Sequence, residues 1–554
     1  MEMARGRLTG ARVFVECLKQ ERVSLVFGVP GGQTLSIMDA LYDEPSIRFI
    51  TARHEGAAAC MADAYGRVTG KPGIALATTG PGATNLITGI GGAHRDSSPV
   101  IVVTCNNRRR HIGLDDNQDA DHLPLFRQFT KHARFVPDAA GVAHATREAF
   151  RIALTGNPGP VLIDFARDAV EEGEVEFDPL PPEMYRPMCR PIPDPAQLRP
   201  ALACLLAAER PLIWVGKGAI LAGAGQEIMA FARWLGVPVI TTYNGIGAVP
   251  GDDALVFGPR SRGGTQLSEQ LVREADAVLA VGVSFNAATT NRWTLPIPRR
   301  LVQIDIDAEI IGRHYPVAAA VVGDARAAMR GFLEHSAYPS PASYRGWLDH
   351  ARALRDAWRE KVHPAEHATS VPIKPQWVMH EAAALLEDDV IVVADAGNPG
   401  IWTHLLPIRH PRAYLKPVGF GNMAFGLPAA IAARLANPEK RVLLFVGDGS
   451  LGMSLGELET AVRVQTPMAI VVLNDLAYGN IKQEELHYHG QRYIGVDFTD
   501  VQYADVARAM GAAGERVTRP QDVKPAIARA LASPLPYLVD FRIDGSENVW
   551  KAPI

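Results

Sequence analysis

The chain has 554 residues, 47% hydrophobic and 21% charged, with a net charge of −4. That length holds roughly three or four domains, and the balance is that of a globular protein with ample core. The near-neutral charge excludes a polyanion such as nucleic acid as the main partner, and no run of 18 or more apolar residues suggests a membrane span. The five cysteines are scattered over the first 204 residues without a C-x-x-C pair, which points to a reduced, cytoplasmic setting rather than a disulfide framework or zinc site.

The first 20 residues alternate charge with apolar residues, as an amphipathic helix does, and lack the features of a signal peptide. Short apolar runs then recur at helix-length intervals: SLVFGV, GIALATT, PVIVVTC and GPVLIDF, then PLIWVG, PVITT, AVLAVGV and LVQIDI, then VIVVADA, VLLFVGD, AIVVLN and PYLVDF. Such runs predict buried parallel strands with crossover helices. Residues 178–200 contain eight prolines, through which neither a helix nor a central strand is expected to run. A softer break spans AYPSPASY, a charged helical segment and HATSVPIKPQ. The chain therefore reads as three open α/β domains, 1–178, 195–340 and 372–554. Open sheets bind ligands beyond the carboxyl ends of their strands. The glycine-rich turns fall there: FGVPGG with Gly31 and Gly32, TTGPGATN with Thr78, ADAGN with Gly397 and Asn398, and GDGS at 447–450.

In VGDGSLGMSLGELETAVRVQTPMAIVVLND, Asp448 and Asp475 each follow an apolar strand. A right-handed crossover puts both at one sheet edge. Gly447 and Gly449 let the backbone turn and approach a ligand, and the helix opening at Ser450 favours an anion. Oxygen donors beside an anion site suit Mg²⁺ bridging to a diphosphate. GDG alone would serve equally as a tight strand–helix turn with a capping aspartate.

The spacing from GDG to the Asn474-Asp475 pair resembles the diphosphate-binding motif of thiamine-diphosphate enzymes. The likeness extends along the whole chain to the acetolactate synthase branch, through FGVPGG, RHEGAAACMADAYGRVTGKPG, TTGPGATNLITGI, TKH and GPVLID. It implies a pyrimidine-binding, a central and a diphosphate-binding domain. It implies Asp448, Asp475 and the Ala477 carbonyl as Mg²⁺ ligands, with Asn474 as the alternative to Asp475. Tyr478, Gly479, Asn480, Ile481 and Ser450 would line the cofactor site. Glu55 of RHE would hydrogen-bond N1′ of the aminopyrimidine, with Gln118 as a second catalytic residue. Met423, in GFGNMAFGLPAA, would wedge the cofactor into its bent form. The activity implied is decarboxylation of a 2-oxo acid to an enamine, followed by carboligation or protonation. Glu55 and Asp448 would come from different subunits of a dimer or dimer of dimers.

The substrate pocket implied contains Thr78, Asn117, Lys131 and Glu484. Here this chain departs from acetolactate synthases: Asn117 replaces a phenylalanine, Glu484 a tryptophan and Asn480 a methionine, so three apolar contacts become polar or charged. Glu484 is expected to meet a polar substrate group, Lys482 or solvent. His487 and His489 are candidate acid/base groups. Thr78 stands where benzoylformate-type decarboxylases carry a histidine, and the sequence runs only to VWKAPI where 2-hydroxyacyl-CoA lyases carry a C-terminal lid. Both remain alternatives, as does a catalytically silent cofactor-binding subunit. In the central domain FNAATT stands for the family's FDDRTT, and loss of the arginine argues against FAD.

Overall fold

The twelve apolar runs form the four inner strands of each of three six-stranded, all-parallel sheets, and the two edge strands of each sheet lie outside those runs. A computed structural model describes residues 6–261, 263–335, 344–362, 367–547 and 549. The first sheet orders its strands Arg48–Thr51, Leu25–Gly28, Gly73–Ala77, Val100–Asn106, Val161–Ala166, His132–Val136. The third follows the same plan: Tyr414–Leu415, Val390–Ala394, Arg441–Gly447, Ala469–Asn474, Tyr537–Arg542, Ala513–Val517. Counted within each domain, both orders are 2-1-3-4-6-5. The central sheet instead runs 3-2-1-4-5-6, from Val256–Pro259 through Val239–Thr241, Pro211–Val215, Ala277–Val281 and Arg300–Asp305 to Ala319–Val322. In the outer domains, first and third strands lie side by side, and their connections leave in opposite directions. That switch point opens a crevice at the carboxyl edge.

The N-terminal helix is shorter than its charge pattern suggests. Gly6–Thr9 is a strand paired antiparallel with Glu174–Phe177, and the helix spans Gly10–Gln20, capped by Thr9. The proline-rich stretch is mostly irregular, but helix Pro195–Leu206 begins inside it and contains Pro200, against expectation. Asp194 caps that helix and Pro195 takes its first turn, where a missing N–H costs nothing; Pro200 costs it one internal hydrogen bond. Of the break at 337–344 only Tyr344, and of VWKAPI only Val549, belong to the described residues. No described helix is long and apolar enough to cross a membrane, and all five cysteines are free.

The outer domains share a core. Helix Glu55–Thr69 packs on helix Gly426–Ala436, and Ala58, Ala62, Ala429 and Ala433 lie in one buried cluster. Small side chains allow that close approach. At the junction, buried Arg67 forks onto Asp63 at 2.5 and 2.7 Å, reaches Asp96 at 3.0 Å and donates to the Lys416 carbonyl at 2.7 Å. Asp96 also accepts from the amides of Val418 and Gly419 and from Asn244 Nδ2. The guanidinium thus ties the first domain to the third, and Asp96 extends the link to Asn244 of the central domain. Arg67→Leu would strand two buried carboxylates, and chemical denaturation should show a loss of about 3–5 kcal/mol.

Candidate active site

A cavity of about 210 Å³ opens at the switch point of the third sheet. It is lined by Gly397, Asn398, Met423, Gly447, Asp448, Gly449, Ser450, Asp475, Ala477 and the run Tyr478–Ile481. Strand Arg441–Gly447 delivers Asp448, 2% exposed, and the neighbouring strand Ala469–Asn474 delivers Asp475. Two glycines are forced by close packing. A Cβ on Gly479 would sit 2.0 Å from Asp475 Oδ2, and one on Gly449 would sit 2.7 Å from the Tyr478 ring. Ser450 Oγ accepts from the Ala424 amide at 2.9 Å, which fixes the loop carrying Met423. Asn480 Nδ2 donates to Asn398 Oδ1 at 2.8 Å, closing one wall.

Burial pushes both carboxyls above their ordinary range, and the charge of Asp475 adds to the rise at Asp448. The cation acting on Asp475 is Lys482, itself paired with Asp497. Among the described residues no group of three or more His, Cys, Asp or Glu side chains is arranged to hold a metal. Two crowded carboxylates in a glycine-lined crevice therefore suit a hard cation that completes its shell with phosphate oxygens, carbonyls and water, as Mg²⁺ does.

Asn474 is not part of this wall. Its Nδ2 donates to buried Asp540 at 2.9 Å, and its Oδ1 accepts from the Leu476 amide at 3.2 Å. The side chain is spent inside the sheet, leaving Asp475 as the donor facing the cavity. Glu484 lies half-buried on helix Gly479–His489 and does not line the cavity; Asn480, Ile481 and Gln483 of that helix do. His487 and His489 are exposed at the helix end.

A second cluster occupies the switch point of the first sheet. Glu55 opens helix Glu55–Thr69, and its Oε2 accepts from Asn85 Nδ2 at 2.9 Å. A Cβ on Gly82 would lie 3.6 Å from Glu55 Oε1 and 2.8 Å from Thr78 Cγ2; one on Gly31 would lie 2.5 Å from Thr78 Cβ. Nothing lies within 4 Å of the corresponding position on Gly32. Thr78 Oγ1 donates to Gln33 Oε1 at 2.6 Å, Gln33 Nε2 to Asn107 Oδ1 at 3.1 Å, and Asn107 Nδ2 to the Asn117 carbonyl at 3.0 Å. Gln118 has φ 61°, and its carbonyl accepts from Thr79 Oγ1 at 3.2 Å. Behind them buried His122 bridges the Gly80 amide and Asp164. Gln33, Asn85 and the His122–Asp164 pair escaped the sequence analysis, although Asn85 lies inside the TTGPGATN motif. None of these residues lines the cavity of the third domain. The two clusters are thus separate groups of residues on the first and third domains.

Lys131 belongs to neither. It precedes strand His132–Val136, at the amino edge of the sheet, and its Nζ donates to the carbonyls of Ile152, Thr155 and Asn157 at 2.7–2.8 Å. It caps the end of helix Val142–Leu154. Lys131→Met should cost about 1 kcal/mol of stability in a melting experiment and leave KM and kcat unchanged.

In the central domain a smaller cavity of about 110 Å³ lies at the carboxyl strand edge, lined by Lys217, Gly218, Gly282, Asn286, Thr289 and Asp305 among others. Lys217 Nζ is buried without a hydrogen-bond partner among the described residues, and burial pushes Asp305 up to about 6.

Three parallel α/β domains, a glycine-lined crevice holding two carboxylates on the third and a helix-start glutamate on the first are the arrangement of a thiamine-diphosphate-dependent enzyme. Family models agree: the N-terminal TPP binding domain of thiamine pyrophosphate enzymes matches residues 8–129, the central domain 198–332 and the C-terminal TPP binding domain 395–541. The chain belongs to the thiamine pyrophosphate enzyme family. It is 34% identical to a probable acetolactate synthase large subunit of Methanocaldococcus jannaschii, over 99% of this chain and 94% of that protein. It is 34% identical to the acetolactate synthase large subunit of Haemophilus influenzae, over 99% and 96%. To the acetolactate synthase isozyme 3 large subunit of Escherichia coli it is 33% identical, over 99% and 97%.

Proposed function

We propose that the chain is a thiamine-diphosphate- and Mg²⁺-dependent carboligase of the acetolactate synthase type, acting on a 2-oxo acid. The observation that carries this is the crowding of Asp448 and Asp475 in a glycine-lined crevice, with Glu55 held in a separate half-site. Bound there, thiamine diphosphate would supply a carbon nucleophile for the carbonyl and an electron sink for loss of CO₂.

The residues around it have distinct tasks. Asp448, Asp475 and the Ala477 carbonyl would hold the cation, and Gly397, Gly449 and Gly479 admit the diphosphate to the backbone. Met423 would support the cofactor from the cavity wall. Glu55, kept in place by Asn85, would hold a proton at N1′ of the aminopyrimidine. Thr78, beside Gly82 and Glu55, and Gln118, beside Gly80, would orient the substrate. Since one chain separates its half-sites, a complete site would form between two copies, in a dimer or a dimer of dimers.

The polar residues Asn117 and Asn480 favour an acceptor with hydrogen-bonding groups over a purely aliphatic one. FAD stays outside the proposal, because FNAATT offers no cation to its diphosphate. The test is a panel of 2-oxo acids with purified protein, Mg²⁺ and cofactor, following CO₂ and product by NMR. Loss of CO₂ with a new carbon–carbon bond is expected. Cleavage of a 2-hydroxyacyl thioester with every 2-oxo acid untouched would replace the proposal by the lyase alternative.

A further inference from the structure

One wall of the diphosphate cavity is built by the segment following the last strand. Ile543, Asp544, Gly545 and Glu547 line it, together with Pro375 and Gln483. The segment is anchored at its root: the Ile543 amide donates to the Asn474 carbonyl at 3.1 Å, and the Asp544 amide to the Ile373 carbonyl at 2.9 Å. Gly545 then passes over Asp475. A Cβ on Gly545 would lie 3.1 Å from Asp475 Cβ and 3.6 Å from its Oδ2. The Glu547 carbonyl accepts from Gln483 Nε2 at 2.6 Å.

The charges in this cavity raise a problem of choice. Four carboxylates line it, in two pairs: Asp448 with Asp475, and Asp544 with Glu547. Either pair offers oxygen ligands to a hard cation. The second pair is occupied. Lys374 Nζ lies 2.7 Å from Asp544 Oδ2 and 2.5 Å from Glu547 Oε1, and Gln376 Nε2 donates to Glu547 Oε2 at 2.8 Å. Burial works against the Lys374 charge, yet the two carboxylates hold its pKa above the ordinary lysine value.

We infer that Lys374 is a positioning residue for the cation site: it pins the 543–547 segment against Asp475 and neutralises the competing carboxylate pair. The cation is then left with Asp448 and Asp475, in a crevice whose roof is fixed. This rests on the assignment of that crevice to Mg²⁺ and diphosphate.

The experiment measures Mn²⁺ affinity by EPR and Mg²⁺ affinity by calorimetry, on the full chain with thiamine diphosphate, for wild type, Lys374→Met, Lys374→Arg and Gly545→Ala. Groups that hold metal ligands in place typically contribute 10- to 100-fold in affinity. Lys374→Met should weaken cation binding by about tenfold or more, Lys374→Arg should restore most of it, and Gly545→Ala should weaken it through Asp475 alone. Melting of the cofactor-free proteins separates this from a general loss of fold. Equal affinity in wild type and Lys374→Met overturns the inference while the crevice assignment stands. So does weakening that Lys374→Arg leaves unrepaired and Gly545→Ala does not reproduce. A wild-type chain that binds no divalent cation overturns the crevice assignment and the inference with it.

Discussion

Glu55→Gln should slow exchange of the thiazolium C2 proton by about 100- to 10,000-fold, the usual weight of a positioned acid–base group. The comparison is hydrogen–deuterium exchange by NMR on protein loaded with cofactor and Mg²⁺. The fold should not suffer. Glu55 is half-buried at a helix start, its contact is the Asn85 amide, and glutamine keeps an oxygen for that donor. Cofactor affinity should change little, since the crevice proposed for the diphosphate is lined by other residues. If exchange stayed fast in the variant, Glu55 would have no part in activating the cofactor. If the wild type itself gave no exchange above free cofactor, the chain would be a silent cofactor-binding subunit.

Asp448→Asn should do two opposite things. Cation and cofactor binding should fall by more than the roughly 10- to 100-fold typical of residues behind a metal ligand. The cofactor-free protein should meanwhile become more stable by about 1–2 kcal/mol at neutral pH, because a neutral amide relieves the crowding with Asp475. The sign with pH follows from the raised carboxyls. A carboxyl whose pKa is higher folded than unfolded weakens the fold above its unfolded value, and the cost disappears as acid protonates it. The stabilisation by Asn should therefore shrink toward about pH 4. Melting curves with and without Mg²⁺ and cofactor, at several pH values, read both effects. A variant less stable than wild type without cofactor would show that the two carboxylates are not in conflict.

The inner strands were readable because they are buried on both faces, so apolar runs mark them directly, whereas edge strands such as Arg48–Thr51, His132–Val136 and Ala513–Val517 are half-exposed and carry no such run. The glycine turns were readable because their edge is where parallel sheets open. What the sequence hides is which side of the chain a residue presents. Asn474 and Asp475 are adjacent and both oxygen donors, yet at the strand end one turns inward to Asp540 and the other to the cavity. Lys131 lay in a motif matched by resemblance, but its strand runs so that the residue starts at the wrong edge. Pro200 shows composition outvoted by a capped helix start. The roof at 543–547 gave no signal either, since Lys374 meets it only after some 170 residues of intervening chain.

The shared alanine core has a consequence for biogenesis. Helix Glu55–Thr69 finds its partner, Gly426–Ala436, about 360 residues later in the chain. At roughly 5–20 residues per second, the first domain waits on the order of 20–70 s on the ribosome with that alanine face uncovered. Arg67, on the same helix, waits equally long for the Lys416 carbonyl. The unfinished chain thus exposes, during its own synthesis, a surface that the finished enzyme never shows. That interval is when a chaperone would find it, and when a truncated product would aggregate.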